Sequence, residues 1–155
     1  MAYSDKQGFN GNRGESRTHQ ILSEKFYVST RSVDIDGADF IVEIRYEDSQ
    51  KFRDSRETGV VQAKFFEENN EVKIAKQYVF DKDGLRTNFF AIIHTDDKEG
   101  KKRRYFFTSK DIHKNLRLRK DRKTSKEYYI FNLTKNRRFS QFLDFEDNKI
   151  NRLIE

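Results

Sequence analysis

The segment from Val33 to Lys64 constrains this chain more than any other. It reads V-D-I-D-G-A-D-F-I-V-E-I, crosses a polar loop, and resumes with G-V-V-Q-A-K. Phe40–Tyr46 and Val60–Phe66 are short runs rich in β-branched and aromatic residues, the composition and length of strands. Side chains on a strand alternate between two faces. Asp39, Ile41 and Glu43 therefore share one face of the first strand, and Gln62 and Lys64 share one face of the second. If the strands pair, an acid and a lysine converge on one spot. A surface ion pair across a hairpin would account for that much. It does not account for a lysine among Val60, Val61, Phe65 and Phe66, where an ammonium is costly without a partner or a task.

Only 34% of the residues are hydrophobic and 37% are charged, a balance that by itself suits disorder. Fifteen Phe and seven Tyr offset it, because aromatic side chains bury much area each. A length of 155 residues suits one domain with room for a core. There is no Cys, which excludes disulfides, thiolate zinc sites and a cysteine nucleophile. Met1–Gly14 lacks an apolar h-region, and no run approaches a membrane span. A soluble, cytoplasmic protein without membrane contact is expected.

Met1–Asn12 is a polar lead containing Gly8 and Gly11, expected to be mobile. Asn12 followed by Glu15 is close to a capping box. It predicts a helix with Thr18, Ile21, Leu22 and Phe26 on its apolar face. Glu15 either caps that helix or serves a site, and the two are compatible. His19 reads as solvated and His94 as structural. Tyr27–Val33 is a first strand. Asp34, Asp36 and Asp39 surround Gly37, which makes either a tight turn or a carboxylate cluster for a hard cation. Asp48–Thr58 is a hairpin loop carrying Lys51, Arg53 and Arg56. Val72–Phe80 fits both periodicities. Strands are expected at Asn88–Thr95, Arg104–Thr108 and Tyr128–Leu133, with a short helix at Lys110–Leu116 capped by Ser109. Thr134–Glu155 is polar and partly helical, anchored by Phe139, Phe142 and Phe145.

Charge is unevenly placed. Residues 101–155 carry 17 Lys and Arg against 7 Asp and Glu, while residues 1–100 carry 15 against 19. The densest basic run, Leu116–Lys126, presents Arg117, Arg119, Lys120, Arg122 and Lys123. It reads as a set of phosphate contacts or as a solvated connector. No P-loop, G-x-S-x-G or H-E-x-x-H motif is present.

An acid at a strand start followed by Q-x-K in the next strand resembles the PD-(D/E)XK nuclease superfamily. The Gln is similar to that of its Mrr-like restriction endonucleases. Gly14-Glu15, the D-x-D-G-x-D of residues 34–39 and Gln62-Ala63-Lys64 stand in the order found in small bacterial proteins of that superfamily. The likeness covers roughly the first two thirds of the chain. It implies an α/β fold with a restriction-endonuclease-like mixed sheet in α-β-β-β-α-β order, flanked by helices. A basic C-terminal extension would follow. The resemblance places the second helix at Ala75–Lys82.

It further implies a magnesium-dependent nuclease, with manganese able to substitute, that hydrolyses phosphodiester bonds of DNA in preference to RNA. Bacterial or phage genome defence is the setting it suggests. Asp39, Glu15 and Gln62 would hold the metal, and Lys64 would complete the catalytic set. A bound divalent ion lowers the pKa of its water and polarises phosphate oxygen, and a lysine beside it steers that water and offsets charge. Gln62 departs from the usual acid and offers a neutral, weaker oxygen, which leaves the number of metals open. The competing readings are a catalytically inactive nucleic-acid-binding or interaction module on the same fold, and a subunit of a larger defence complex or homodimer.

Overall fold

The structure is a computed structural model that describes residues 3–24, 26–30, 39–44, 58–66, 71–96 and 102–132. Helix α1 (Tyr3–Ser23) leads into β1 (Phe26–Thr30), β2 (Phe40–Ile44) and β3 (Thr58–Phe66). Next come β4 (Val72–Ala75), the short α2 (Lys76–Val79) and a small ribbon of β5 (Phe80–Asp81) and β6 (Gly84–Leu85). Then follow β7 (Phe89–Asp96), β8 (Lys102–Thr108), α3 (Ser109–Asn115), β9 (Arg117–Lys120) and β10 (Glu127–Phe131).

Five strands form a mixed sheet in the order β1-β2-β3-β7-β8. The β3–β7 pair is parallel and the other neighbours are antiparallel. Parallel neighbours need a crossover, and the chain between β3 and β7 provides it. A second, antiparallel sheet runs β4-β10-β9.

Strand alternation divides the interior in two. On one face Val61, Ala63 and Ile92 join Phe40, Val42 and Phe106 beneath Leu22 of α1. On the other face Phe89, Ala91, Ile93, Tyr105 and Phe107 meet Ile112 of α3 and the inner residues of the second sheet, Val72, Ile74, Tyr129 and Phe131. β7 is covered on both sides, which is why it reads as a nearly unbroken apolar run.

Gly14, Thr18 and Leu22, each four residues apart, are the buried stripe of α1. Gly14 has a steric reason to be there. A Cβ at this position would lie 2.9 Å from the carbonyl carbon of Lys64 and 3.1 Å from the amide nitrogen of Phe65. The missing side chain lets the helix rest directly on β3.

Three expectations are corrected. Helix α1 runs from Tyr3 to Ser23, so Asn12 is not its start, Glu15, well inside it, caps nothing, and Phe26 opens β1 instead of lying on the helix face. The helix expected at Ala75–Lys82 shrinks to the single turn Lys76–Val79. Val72 and Ile74 are both buried in an alternating pattern, and they pair with Phe131 and Tyr129. That non-local partner overrides the local helical period. At α3 the cap is Thr108 rather than Ser109. Its Oγ1 accepts from Asp111 N at 3.2 Å, and its own N–H donates to Asp111 Oδ2 at 3.0 Å. The expected features at Asp34, Asp36, Lys51, Arg53, Arg56 and Thr134–Glu155 lie outside the described residues. Among the described residues no helix is long and apolar enough to cross a membrane.

The contact at Gly14 has an opposite sign from its helix propensity. Alanine in a helix interior normally gains about 1 kcal/mol over glycine. Here the added methyl meets rigid backbone, so Gly14→Ala should instead destabilise by about 1–3 kcal/mol, the cost of overpacking. Urea unfolding of the two proteins measures the sign directly.

Candidate active site

The site begins where β2 stops. Phe40 pairs with Val61, and the ladder then changes at Asp39. The Asp39 amide donates to the carbonyl of Val61 at 3.0 Å. Its carboxylate Oδ2 accepts from the amide of Ala63 at 2.6 Å. A side-chain oxygen thus takes the place of a main-chain acceptor at this point of β3. These two bonds bracket Gln62 and hold Asp39 beside it.

Phe40 and Val42 point into the core under α1. Their alternates, Asp39, Ile41 and Glu43, therefore belong to the opposite face. On β3, Val61 and Ala63 face α1, while Val60 packs against the other core. Gln62 and Lys64 thus share the face of Asp39. Asp39 adjoins Gln62 through its bonds to the backbone of Val61 and Ala63.

Gln62 is only 4% exposed. Among the described residues its Oε1 is a buried side-chain oxygen with no hydrogen-bond partner. Leaving such an acceptor unmet costs about 1–3 kcal/mol, so the position calls for a ligand or a function. Lys64, two residues on, is half-buried. The β7–β8 half of this face lies under the second sheet and α3, whereas Tyr27 and Ser29 on β1 are exposed. Gln62 and Lys64 sit between that covered half and the β1–β2 half, over which no described element lies.

Glu15 stands apart from this trio. α1 covers the opposite face of the sheet, and Glu15 is exposed on it. Its neighbour Gly14 rests on the Lys64 backbone, which puts Glu15 at the level of Lys64. His19, one turn later on the same flank, lies with its ring 5.8 Å from that of Phe40. Glu15 therefore lies on the β2 side of the helix, above the point where β2 has ended. Among the described residues, no three His, Cys, Asp or Glu side chains gather as a metal-binding group; an amide donor such as Gln62 falls outside that set of residue types.

The other flank of α1 carries a cluster that the sequence does not announce. Arg17 Nη1 donates to Asp96 Oδ1 at 2.8 Å and Arg13 Nη2 to Asp96 Oδ2 at 2.6 Å. Both guanidinium groups lie over the Phe65 ring, Arg13 at 4.2 Å and Arg17 at 5.2 Å from its centroid. These contacts join residues about 80 positions apart, and only the fold brings them together. The hydrogen bond from Arg17 holds the Asp96 carboxyl below its ordinary range, with the charges of Arg17 and Arg13 adding to it. Next to this cluster, Thr18 Oγ1 and His94 Nε2 share a 2.7 Å hydrogen bond. Burial, reinforced by Arg17 and Arg104, pushes His94 down to about 3. It is a neutral structural histidine.

The basic run forms an exposed edge hairpin. Arg117, Arg119 and Lys120 lie on β9, and Arg122 and Lys123 in the turn that follows. Asp121 Oδ1 accepts from the amides of Lys123 at 2.8 Å and Thr124 at 3.1 Å, which shapes that turn. All five cations are exposed. Alternation sends Arg117 and Arg119 to one face and Lys120 to the other, and Arg119 is paired with Glu71. No family model, curated protein or solved structure matches this chain.

His94 gives a pH prediction. Its folded pKa, about 3, lies below the unfolded value of 6.5. Between those values the unfolded chain binds a proton that the folded protein refuses. Stability should therefore fall as pH drops through that window, by about 1.4 kcal/mol per pH unit. Asp96 acts in the same direction only at lower pH, through its folded pKa. Urea midpoints at pH 7 and pH 5 should differ in the parent protein, and most of the difference should vanish in His94→Gln.

Proposed function

We propose that the chain is a metal-dependent nuclease that hydrolyses phosphodiester bonds of nucleic acid at Asp39, Gln62 and Lys64. The carrying observation is the buried, unpartnered Gln62 Oε1, set between a carboxylate and a lysine on one face. The element order supports the same reading. A helix, an antiparallel three-strand meander and a crossover to a parallel strand follow the α-β-β-β-α-β plan of the restriction-endonuclease-like fold. The crossover here is built from β4, α2 and the β5–β6 ribbon rather than from one long helix.

The donor set fits magnesium. Asp39 and Gln62 offer hard oxygen ligands, and magnesium keeps several waters and takes only one or two protein groups. When bound, such an ion lowers the pKa of its water and neutralises charge on the phosphate. Asp39 is held for that task by the Ala63 amide, which fixes its carboxylate against β3. Gln62 presents its oxygen from a buried position on β3. Lys64 supplies positive charge towards the phosphate as negative charge grows there. Glu15, exposed on the opposite face of the sheet, is left outside this set. The exposed hairpin of Arg117, Lys120, Arg122 and Lys123, with Arg119 shared with Glu71, supplies phosphate contacts without reading sequence. DNA as the preferred substrate, a defence role, a partner complex and a cytoplasmic setting rest on the resemblance.

The test is cleavage of plasmid and single-stranded DNA with Mg²⁺, Mn²⁺ or EDTA. Cleavage is expected with either ion and none with EDTA. Asp39→Asn retains an oxygen for the Ala63 amide, so it should fold as the parent does and lose cleavage by roughly 10²-fold or more, as should Lys64→Met. Gln62→Met separates site from scaffold. It should lose cleavage yet gain about 1 kcal/mol of stability, because an unmet buried oxygen is replaced by an apolar group. Undiminished cleavage by these variants would point to another site.

A further inference from the structure

The outer face of the second sheet carries a cation that the basic run does not contain. On β10, Tyr129 and Phe131 point into the core, with Val72 and Ile74 of β4 on the same side. Their alternates therefore point outwards. The register sets these outer residues in two rows across the three strands. Lys73 and Arg117 flank Ile130 in one row, and Ala75 and Arg119 flank Tyr128 in the other. Lys73, Arg117 and Arg119 are all exposed. Lys73 leans along the sheet towards the basic hairpin. Its ammonium lies 5.9 Å from the centre of the Tyr128 ring. The Asp121 carboxyl in the turn after β9, lowered chiefly by the amides of Thr124 and Lys123, also feels the Lys73 charge.

We infer that this outer face is a phosphate-binding surface for the nucleic-acid substrate, with Lys73 on β4 as one cationic side and Arg117 and Arg119 on β9 as the other. The inference rests on the nuclease reading above and deepens it. The substrate is a nucleic acid long enough to lie on the second sheet as well as at the cleavage site. β4 and β9 both neighbour β10, so the two sides stand about 10 Å apart at a strand spacing of about 4.8 Å. Between them lie the buried Ile130 and the half-buried Tyr128, neither of which is charged. The described acids at the rim are Glu71, paired with Arg119, and Asp121. Arg122 and Lys123 in the same turn outweigh Asp121. Exposed cations spread along two strands suit a repeating phosphate backbone better than one compact anion. Ammonium and guanidinium contacts of this kind position a nucleic acid without reading its sequence. Position agrees as well. The inner side of this sheet covers the β7–β8 half of the face that bears Gln62 and Lys64. Its outer side therefore fronts the same side of the protein, one sheet-packing distance of about 10 Å further out.

Binding is measured in EDTA, which prevents cleavage, by anisotropy of labelled DNA duplexes of two unrelated sequences over a range of salt. Each phosphate contact adds roughly 0.9 to the slope of log affinity against log salt on duplex DNA. Lys73→Gln should therefore flatten the slope by about 0.9, equally for both sequences, and Lys73→Gln with Arg117→Gln by about 1.8. Lys73→Arg keeps the charge and should bind as the parent does. Lys110→Gln with Lys114→Gln removes the same charge from α3, where both lysines are exposed, and should leave the slope as it is. A Lys73→Gln slope equal to that of the parent, or an equal flattening in the α3 variant, would overturn the face and leave the nuclease reading standing. Vesicles of phosphatidylserine and phosphatidylcholine form the second arm. Vesicle binding that is lost in the Lys73→Gln, Arg117→Gln variant while duplex binding is unchanged would overturn the inference in favour of a membrane surface. A parent protein that binds no duplex at any salt concentration would overturn both readings.

Discussion

The amide of Ala63 is satisfied by the carboxylate of Asp39, and the arrangement of the site depends on that bond. It ends β2 while keeping the chain tied to β3. Together with the bond from Asp39 N to Val61 O, it fixes which side chains of the two strands share a face. A slip of one residue would invert every side chain of β2. Phe40 and Val42 would leave the core under α1, and Asp39 would leave Gln62. The acid is thus a piece of scaffold as well as the first member of the proposed site.

Around this point the protein is densely supported. The parallel pair β3–β7 lies at the centre of the five-stranded sheet, and two separate apolar clusters cover its faces. Gly14 brings α1 into direct contact with the β3 backbone at Lys64, and the Arg13–Arg17–Asp96 cluster holds the far flank of the same helix against the end of β7. Such support lets one strand hold an amide with an unmet oxygen and a half-buried lysine within two residues of each other. Local violations of burial rules that persist in a well-packed setting are a mark of functional positions.

Much of this was legible in the sequence, for reasons that can be named. Alternation in Phe40–Tyr46 and Val60–Phe66 gave the two strands, which the structure places at Phe40–Ile44 and Thr58–Phe66, because both bury one side against α1. The doubly covered β7 announced itself as a continuous apolar run. Helix α1 was truncated in the reading, since Gly8 and Gly11 weigh against a helix locally. Val72–Phe80 stayed open between strand and helix because the partner that settles Val72–Ala75 as a strand, β10, lies more than fifty residues away. The side of the sheet on which Glu15 sits had no local signal at all, and neither did the salt bridges of Asp96. Lys73 offered none either, since only the pairing of β10 with both β4 and β9 sets it across from Arg117.

The central claim is that Asp39 and Gln62 together form a cation site on β3. Crystals of the protein soaked with Mn²⁺ and recorded for anomalous scattering test it most directly. The account predicts a peak within coordination distance, about 2.0–2.3 Å, of Asp39 and of Gln62 Oε1, with Lys64 on the same side of the sheet. A structure with manganese bound elsewhere, or with Gln62 Oε1 hydrogen-bonded to a neighbouring side chain, would contradict it.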